Sequence, residues 1–459
     1  VGGKHFDKLD DEGKALHDRW DHVVRIMLLV TLLSTLVWAC ISALRWAVHA
    51  MAHALFHRAD HDLEGGVVLL VALGLGGAIA GVLSRHEAWA DASGDGMEIT
   101  LRNYHVTYEE DGDDPRPRYE RPAFLLAFRK ALLTLVSLGS GSSGGLEAPS
   151  VLVAEGLSSG FARVMRVRSE YELRTYQLAG ISAAVATLLG APLSAAIFAT
   201  EVVYGDRIIY RKLAYAMWAG VIAYALNNRL RGYVPLFATK AHSPIYSLHE
   251  YVAVTVVALT VSVPLAVGFA RVVKVLRVVS GKLGRFAPIV ASLLAGLLAL
   301  GLKAGLGIAP SSVLGMGEGV LAGLLKGDEA YSSAGIVAAI LFAKVLTTGL
   351  AVSARHSVGM LIPSMFLGGV SGALVAMLVN RVLGTSLDPA LFVVVGISSS
   401  LVAVVGVPLA AIALVLEIFG KAFGPPAILA CGITYLITLR LKLYAEQRVS
   451  PDPLGDETG

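Results

Sequence analysis

The carboxylate of Glu147 stands in the polar stretch "GSSGGLEAPS" (Gly141–Ser150), between "FLLAFRKALLTLVSL" and "VLVAEGLSSGFARVM", two segments apolar enough to lie in a membrane. An ionisable side chain in such a run is costly, so it reads first as a functional group. The competing reading is a structural carboxylate at a helix start, worth about 0.3–1 kcal/mol where exposed. Two more glycine-rich breaks open onto helix-forming segments: "ASGDGMEITL" (Ala92–Leu101), which carries Ser93, and "SVGMLIPSMFL" (Ser357–Leu367), which carries Met360 and Leu361. A helix start leaves four backbone N–H groups unpaired and bears about half a positive charge. Three such starts meeting inside a membrane would bind an anion without any buried Lys or Arg. Glycine lets the backbone come close to the ion, and Pro149 and Pro363 fall in a first turn, where a missing N–H is tolerated.

A second pattern lies earlier. His49, His53, His57 and His61 recur every four residues in "HAMAHALFHRADH", which on a helix puts four imidazoles on one face. Pairs at this spacing bind zinc or copper, but no HExxH arrangement accompanies them. They are read as the solvated or weakly pH-sensitive end of a helix, with no metal and no cofactor expected; a membrane metalloprotein is the remote alternative.

The elements that position these residues are membrane helices. Of 459 residues, 55% are hydrophobic and only 16% charged, with a mean hydropathy of +0.67, against about 25% charged in soluble proteins. Apolar runs near the length of a bilayer span recur at 24–47, 66–84, 123–138, 208–226, 250–274, 287–306, 334–353, 365–383 and 423–439. Others, at 146–163, 175–189, 191–204, 390–405 and 406–419, are too short or too interrupted to cross unaided. Such broken helices are tolerated only where protein buries them or a polar cavity receives their backbone. The 49 glycines suit close helix packing.

Cys40 and Cys431 fall in apolar segments and predict buried thiols rather than a disulfide. The net charge of +3 argues neither for nor against nucleic acid, and no nucleic-acid partner is expected. Basic residues Lys4, Lys8, Lys14, Arg19 and Arg25 precede the first span, and the tail "RLKLYAEQRVSPDPLGDETG" is basic beside the last. Both termini are therefore expected in the cytoplasm: a segment 1–24 and a tail 447–459, flanking a transmembrane domain 25–446 and leaving no room for a soluble regulatory domain.

The chain also repeats itself. At an offset of 216, "GAPLSAAIFATE" (Gly190–Glu201) falls on "GVPLAAIALVLE" (Gly406–Glu417); at 214, "GLEAPS" falls on "GMLIPS". Two half-length units, approximately 66–230 and 250–440, with a site at their interface, follow from that order. Offsets alone do not say whether the units are parallel or inverted.

With these pieces in hand, the chain resembles the CLC chloride channels and proton-coupled chloride exchangers, prokaryotic in size. Their signature pieces are a GSGIP-like loop, a GREGP-like loop, a GxFxP-like loop and a late tyrosine. Here these are "ASGDG", "GLEAP", "GMLIP" and Tyr444 in "KLYAEQ". The resemblance runs from about residue 25 to 446 and includes Lys130, seventeen residues before Glu147. It implies an all-α polytopic membrane fold, a CLC-type inverted repeat with broken and tilted helices. It also implies a homodimer with one pathway per subunit, in the inner or plasma membrane of a prokaryote. By the resemblance, Ser93 and Tyr444 offer hydroxyls to a central chloride, and the N–H groups of Met360 and Leu361 complete the cage. Glu147 is the gate and possible proton acceptor, surrounded by N–H groups from Gly145, Leu146 and Ala148. Read from residue type alone, Ser93 is also turn chemistry, Tyr444 an interfacial tyrosine, and Lys130 a snorkelling lysine or an electrostatic support.

Departures from the family pattern bear on mechanism. Leu146 stands where the family has Arg, Ala148 where it has Gly, Gly96 where Pro is usual, and Leu361 where Phe is usual. Exchangers carry an inner proton-handling glutamate at the position occupied here by Val202; Glu201 and its repeat partner Glu417 read as polar glue. These features favour passive, Glu147-gated chloride conduction, with chloride/proton exchange as the alternative. No enzymatic activity is expected.

Overall fold

The computed structural model describes residues 11, 14–15, 19–105, 122–205, 208–232, 237 and 246–438. Among them the chain is helical almost throughout, and its β-structure is a single isolated bridge. Helix α1 (Trp20–His61) runs for 42 residues, which at 1.5 Å per residue is about 63 Å, twice a hydrocarbon core of about 30 Å. The apolar run at 24–47 is only its middle, and the helix continues through all four histidines. Ile26, Val30, Leu33, Val37, Ile41, Leu44 and Val48 recur every three or four residues and are buried, while Leu28, Leu32, Leu36 and Trp46 face outward. Helix α2 (Leu63–Leu83) leads back from the His61 end.

Two series of helices then follow the same order. The first is α3 (Met97–His105), α4 (Ala123–Gly139), α5 (Glu147–Val164), α6 (Glu170–Leu189), α7 (Pro192–Tyr204) and α8 (Tyr210–Arg231). After α9 (Leu248–Val257), a π-turn, α10 (Val263–Leu283) and α11 (Ala287–Leu306) comes the second. It consists of α12 (Glu318–Lys326), α13 (Ala334–Ser353), α14 (Leu361–Leu383), α15 (Pro389–Val405), α16 (Pro408–Ile418) and α17 (Gly424–Thr438).

The repeated Gly-x-Pro signal is a stop and a start. Gly190 (φ +69°) and Gly406 (φ +78°) end α6 and α15 in the left-handed region, and Pro192 and Pro408 open α7 and α16. Across the two halves the bonding is reciprocal. The Glu201 carboxylate, at the end of α7, accepts from the N–H groups of Leu409 (3.0 Å) and Ala410 (2.8 Å) at the start of α16. Glu417 accepts in the same way from Leu193 (2.9 Å) and Ser194 (2.8 Å) at the start of α7. Each half thus neutralises the positive end of a helix in the other.

Five helical stretches among the described residues are long and apolar enough to cross a membrane: α1, Glu64–Leu83 within α2, Val267–Leu306, α13 and α14. Helices α7, α15 and α16 are shorter, as the interrupted apolar runs predict. Helix α15 is held inside the protein rather than in lipid: every residue from Leu391 to Val405 is buried. Glycine makes this possible on α14, where a β-carbon on Gly372 would overlap the carbonyl of Phe392. Cys431 is a buried free thiol and Cys40 a half-buried one.

Candidate anion site

The starts of α5 and α14 meet head to head. Gly145 donates its N–H to the carbonyl of Gly359 (2.8 Å), and Gly359 donates to that of Gly145 (2.7 Å). Leu146 and Met360 occupy the N-cap positions. The first bonds of the two helices are Ser150 N–H to Leu146 O (3.0 Å) and Ser364 N–H to Met360 O (2.9 Å). Pro149 and Pro363 have no N–H, so the first turns leave Glu147, Ala148, Leu361 and Ile362 as donors without a helical acceptor. Both positive helix ends therefore address the same small volume.

Glu147 is 3% exposed. Its carboxylate folds back over Gly145, into the space a β-carbon there would require, with Pro363 Cδ 3.2 Å from that same point. The backbone N–H groups of Glu147 itself and of Ile362 are directed at it. Its Oε2 atom is buried and has no hydrogen-bond partner in the structure. Arg45 on α1 is the cation whose charge reaches this carboxylate, and Glu318 is the neighbouring anion. Neither was part of the site read from sequence, because both come from segments remote along the chain.

The Ser93 loop is held by Lys130. That lysine does not snorkel: it is fully buried on α4, and its ammonium donates to Gly94 O (2.6 Å) and Ala92 O (3.2 Å). Gly94 in turn donates to Arg355 O (3.1 Å), tying the loop to the segment that precedes α14. The Ser93 hydroxyl donates to Ala90 O (2.8 Å). Ser93 and Met360 line one cavity of about 1100 Å³ with Arg85, Arg102, Lys274, Arg277, Arg285 and Arg355, against Asp91, Asp95 and Glu98. With more cations than anions on its wall, this vestibule concentrates anions.

A fourth helix start, absent from the sequence reading, completes the arrangement. Lys344 on α13 is fully buried and donates to Gly315 O (2.7 Å) and Leu314 O (3.2 Å), just before α12. Gly144 donates to Gly315 O (3.1 Å) and Gly315 to Gly141 O (3.3 Å), tying that loop to the segment preceding α5. Lys344 precedes Leu361 by the same seventeen residues that separate Lys130 from Glu147, and Gly315 and Gly317 match Gly94 and Gly96 in positive φ. That spacing was the available signal.

Val202 is wholly buried and the Glu201 carboxylate is turned to α16. The structure brings together Glu147, Gly145, Leu146, Ala148, Met360 and Leu361, and sets Ser93 on an adjoining loop that Lys130 of α4 holds. Tyr444 lies outside the described residues. The four histidines line a separate cavity, and among the described residues no group of three or more His, Cys, Asp or Glu is arranged to hold a metal.

Head-to-head helix starts around a buried carboxylate, on an inverted all-helical membrane scaffold, define an anion-transport protein. The model of the voltage gated chloride channel family matches residues 76–439, well over half of the chain, and the chain belongs to that family. It is a family of channels and transporters, not of enzymes, and the protein is an integral membrane protein that moves anions across the bilayer. A chloride/fluoride channel protein of Pseudomonas syringae pv. tomato is 24% identical over 327 residues, 69% of this chain and 67% of its own. Two solved structures share the fold. A CLC-type fluoride/proton antiporter superposes with a TM-score of 0.75 at 18% identity, covering 94% of this chain and 100% of that one. A slow cyanobacterial Cl−/H+ antiporter gives 0.76 at 16%, covering 91% and 95%.

Proposed function

We propose that the protein conducts chloride passively through the pathway between the Ser93 vestibule and the outer mouth, with Glu147 as its gate. The observation that carries this is the seat of the Glu147 carboxylate over Gly145, where the starts of α5 and α14 would otherwise receive an anion. Carboxylate and chloride compete for the N–H groups of Glu147 and Ile362, with those of Leu146, Ala148, Met360 and Leu361 around them and Gly145 pinned beneath by its bond to Gly359. Protonation removes the charge that holds the side chain there, so acid opens the path. Ser93 and Tyr444 supply hydroxyls on the vestibule side, and Lys130 supports the Ser93 loop.

Chloride is favoured over fluoride because Ser93 is retained. Passive conduction is favoured because Val202 fills the inner acid position and Glu201 is engaged by α16. The working unit is a homodimer in a prokaryotic inner or plasma membrane with both termini cytoplasmic. Segments 1–24 and 447–459 flank a domain 25–446 whose halves are approximately 66–230 and 250–440. Outward-facing Leu193, Val221, Leu409 and Ile428 suit a dimer face along α7, α8, α16 and α17.

One observation favours chloride/proton exchange as a second reading. Glu155 is buried on α5, eight residues beyond Glu147 and so about 12 Å along the axis. It accepts from Asn103 Nδ2 (3.1 Å), Ser159 Oγ (2.8 Å) and Gln177 Nε2 (3.1 Å), a polar setting for an inner acid other than residue 202. Reversal potentials decide between the readings. In a bilayer with a chloride gradient and an imposed proton gradient, passive conduction gives the chloride Nernst value. A value that moves with the proton gradient, and a Glu155→Gln variant that abolishes that movement, would establish exchange.

A further inference from the structure

The histidine face of α1 leads somewhere. His49, His53, His57 and His61 line a cavity of about 380 Å³. It lies at the end of α2 opposite the Ser93 vestibule, which is bounded by Gly81, Ser84 and Arg85. Arg45 begins the same series, so five residues at four-residue spacing rise along α1, each step about 6 Å. The rings of His53 and His57 are 5.9 Å apart and those of His57 and His61 5.2 Å. His53, His57 and His61 are exposed, and His49 is half-buried at the deep end.

Other charged groups frame this column on each side. Asp60, on α1, accepts from the N–H (3.2 Å) and hydroxyl (2.7 Å) of Ser311. Lys303 of α11 donates to Ala59 O (2.7 Å). Lys344 of α13 is bonded to the carbonyls of Leu314 and Gly315 behind the cavity wall. Arg45 donates to Thr187 O (3.4 Å) and Leu188 O (3.1 Å) at the end of α6, and its charge reaches His49, Glu147 and Glu318. Tyr331 completes the lining. The remaining titratable wall residue is Glu318, half-buried in the first turn of α12, and it neighbours Glu147 electrostatically. The loop that leads into Glu318 is bonded to the one that leads into Glu147, Gly144 donating its N–H to Gly315 O (3.1 Å), and the Oε2 atom of Glu147 is buried and without a hydrogen-bond partner.

We infer that Glu318 is a second proton-handling carboxylate of this protein, exchanging protons between the histidine-lined cavity and Glu147. Imidazole is the side chain whose ordinary charge change falls between pH 5 and 8, which makes it the usual proton carrier near neutrality. An imidazolium N–H, or a hydronium ion in the cavity, gives its proton to the Glu318 carboxylate and is left as neutral imidazole or water. Glu318 then passes the proton through a water molecule to Glu147, returns to the carboxylate form, and leaves the gate neutral and free to move. The reverse sequence closes it. No other bond is made or broken.

This inference rests on Glu147 being the gate, and the test separates the two. The purified protein is reconstituted in a planar bilayer, and the histidine face is stepped rapidly from pH 7.5 to 5.5 while chloride current is recorded. Wild type relaxes to a higher current. Glu318→Gln, nearly isosteric at a helix start, is expected to slow that relaxation by about a hundredfold, the low end for loss of a positioned proton carrier. It should reach the same current in saturating acid, and Glu318→Asp should restore most of the rate. The combined His49→Gln, His53→Gln, His57→Gln and His61→Gln protein should also be slowed, and an acid step on the Ser93 face should be unaffected by any of these changes. Relaxation of Glu318→Gln at the wild-type rate, or a shift of its acid midpoint with no slowing, overturns the proposal. A Glu147→Gln protein that still responds to acid like wild type would instead overturn the gate itself.

Discussion

The carboxylate of Glu147 occupies the volume that a β-carbon on Gly145 would need. Gly145 does not have positive φ, so alanine is compatible with the backbone there. Gly145→Ala is therefore expected to expel the Glu147 side chain while leaving it chemically intact. Chloride efflux from proteoliposomes at pH 7.5 should rise severalfold towards that of a protein lacking the carboxylate. An efflux rate equal to wild type, in a protein of unchanged melting temperature, would place the resting carboxylate elsewhere.

Lys130 and Lys344 perform the same task in the two halves, each tying down the loop before a short helix. Replacing either by methionine keeps the packing of the stem but leaves two buried carbonyls without their charged donor. Hydrogen bonds to charged groups are worth about 1.5–3 kcal/mol, so each change should cost about 2–4 kcal/mol. Thermal unfolding in detergent measures this. Lys130→Met should additionally weaken chloride binding in calorimetry because its loop carries Ser93.

Glu201 and Glu417 accept two backbone N–H groups each, from helix starts in the opposite half. Glutamine retains one acceptor oxygen and loses the charge, a loss of about 1–3 kcal/mol at a partly buried helix start. The two substitutions should lower the melting temperature by similar amounts and leave the reversal potential unchanged. A reversal potential altered by Glu201→Gln would make that residue part of a proton route.

Much of this arrangement was legible in the sequence because its punctuation is local. Gly190-Ala191-Pro192 and Gly406-Val407-Pro408 dictate a left-handed stop followed by a proline start wherever they occur. The breaks before Glu147 and Leu361 likewise announce helix starts. The full length of α1 was not legible, since its apolarity ends near residue 47 while the helix continues to His61 on a polar face. Nor was the burial of Lys130, whose bonds to Ala92 and Gly94 span about forty positions of chain and need the Ser93 loop folded beneath it. The fourth helix start at Glu318 was hidden because "GMGEG" shares with "GDGME" only its glycine spacing, and equivalence emerges once Lys344 is seen doing what Lys130 does.

The most direct test of the account is chloride efflux from proteoliposomes of Glu147→Gln beside wild type, measured from pH 7.5 down to 5.0. If the Glu147 carboxylate is the gate, wild-type efflux rises with acid, because protonation removes the charge that the helix starts hold. The glutamine variant, neutral at every pH, is then fast and flat across the range. Efflux from Glu147→Gln that is as slow as wild type at pH 7.5 and keeps the same acid dependence would contradict it.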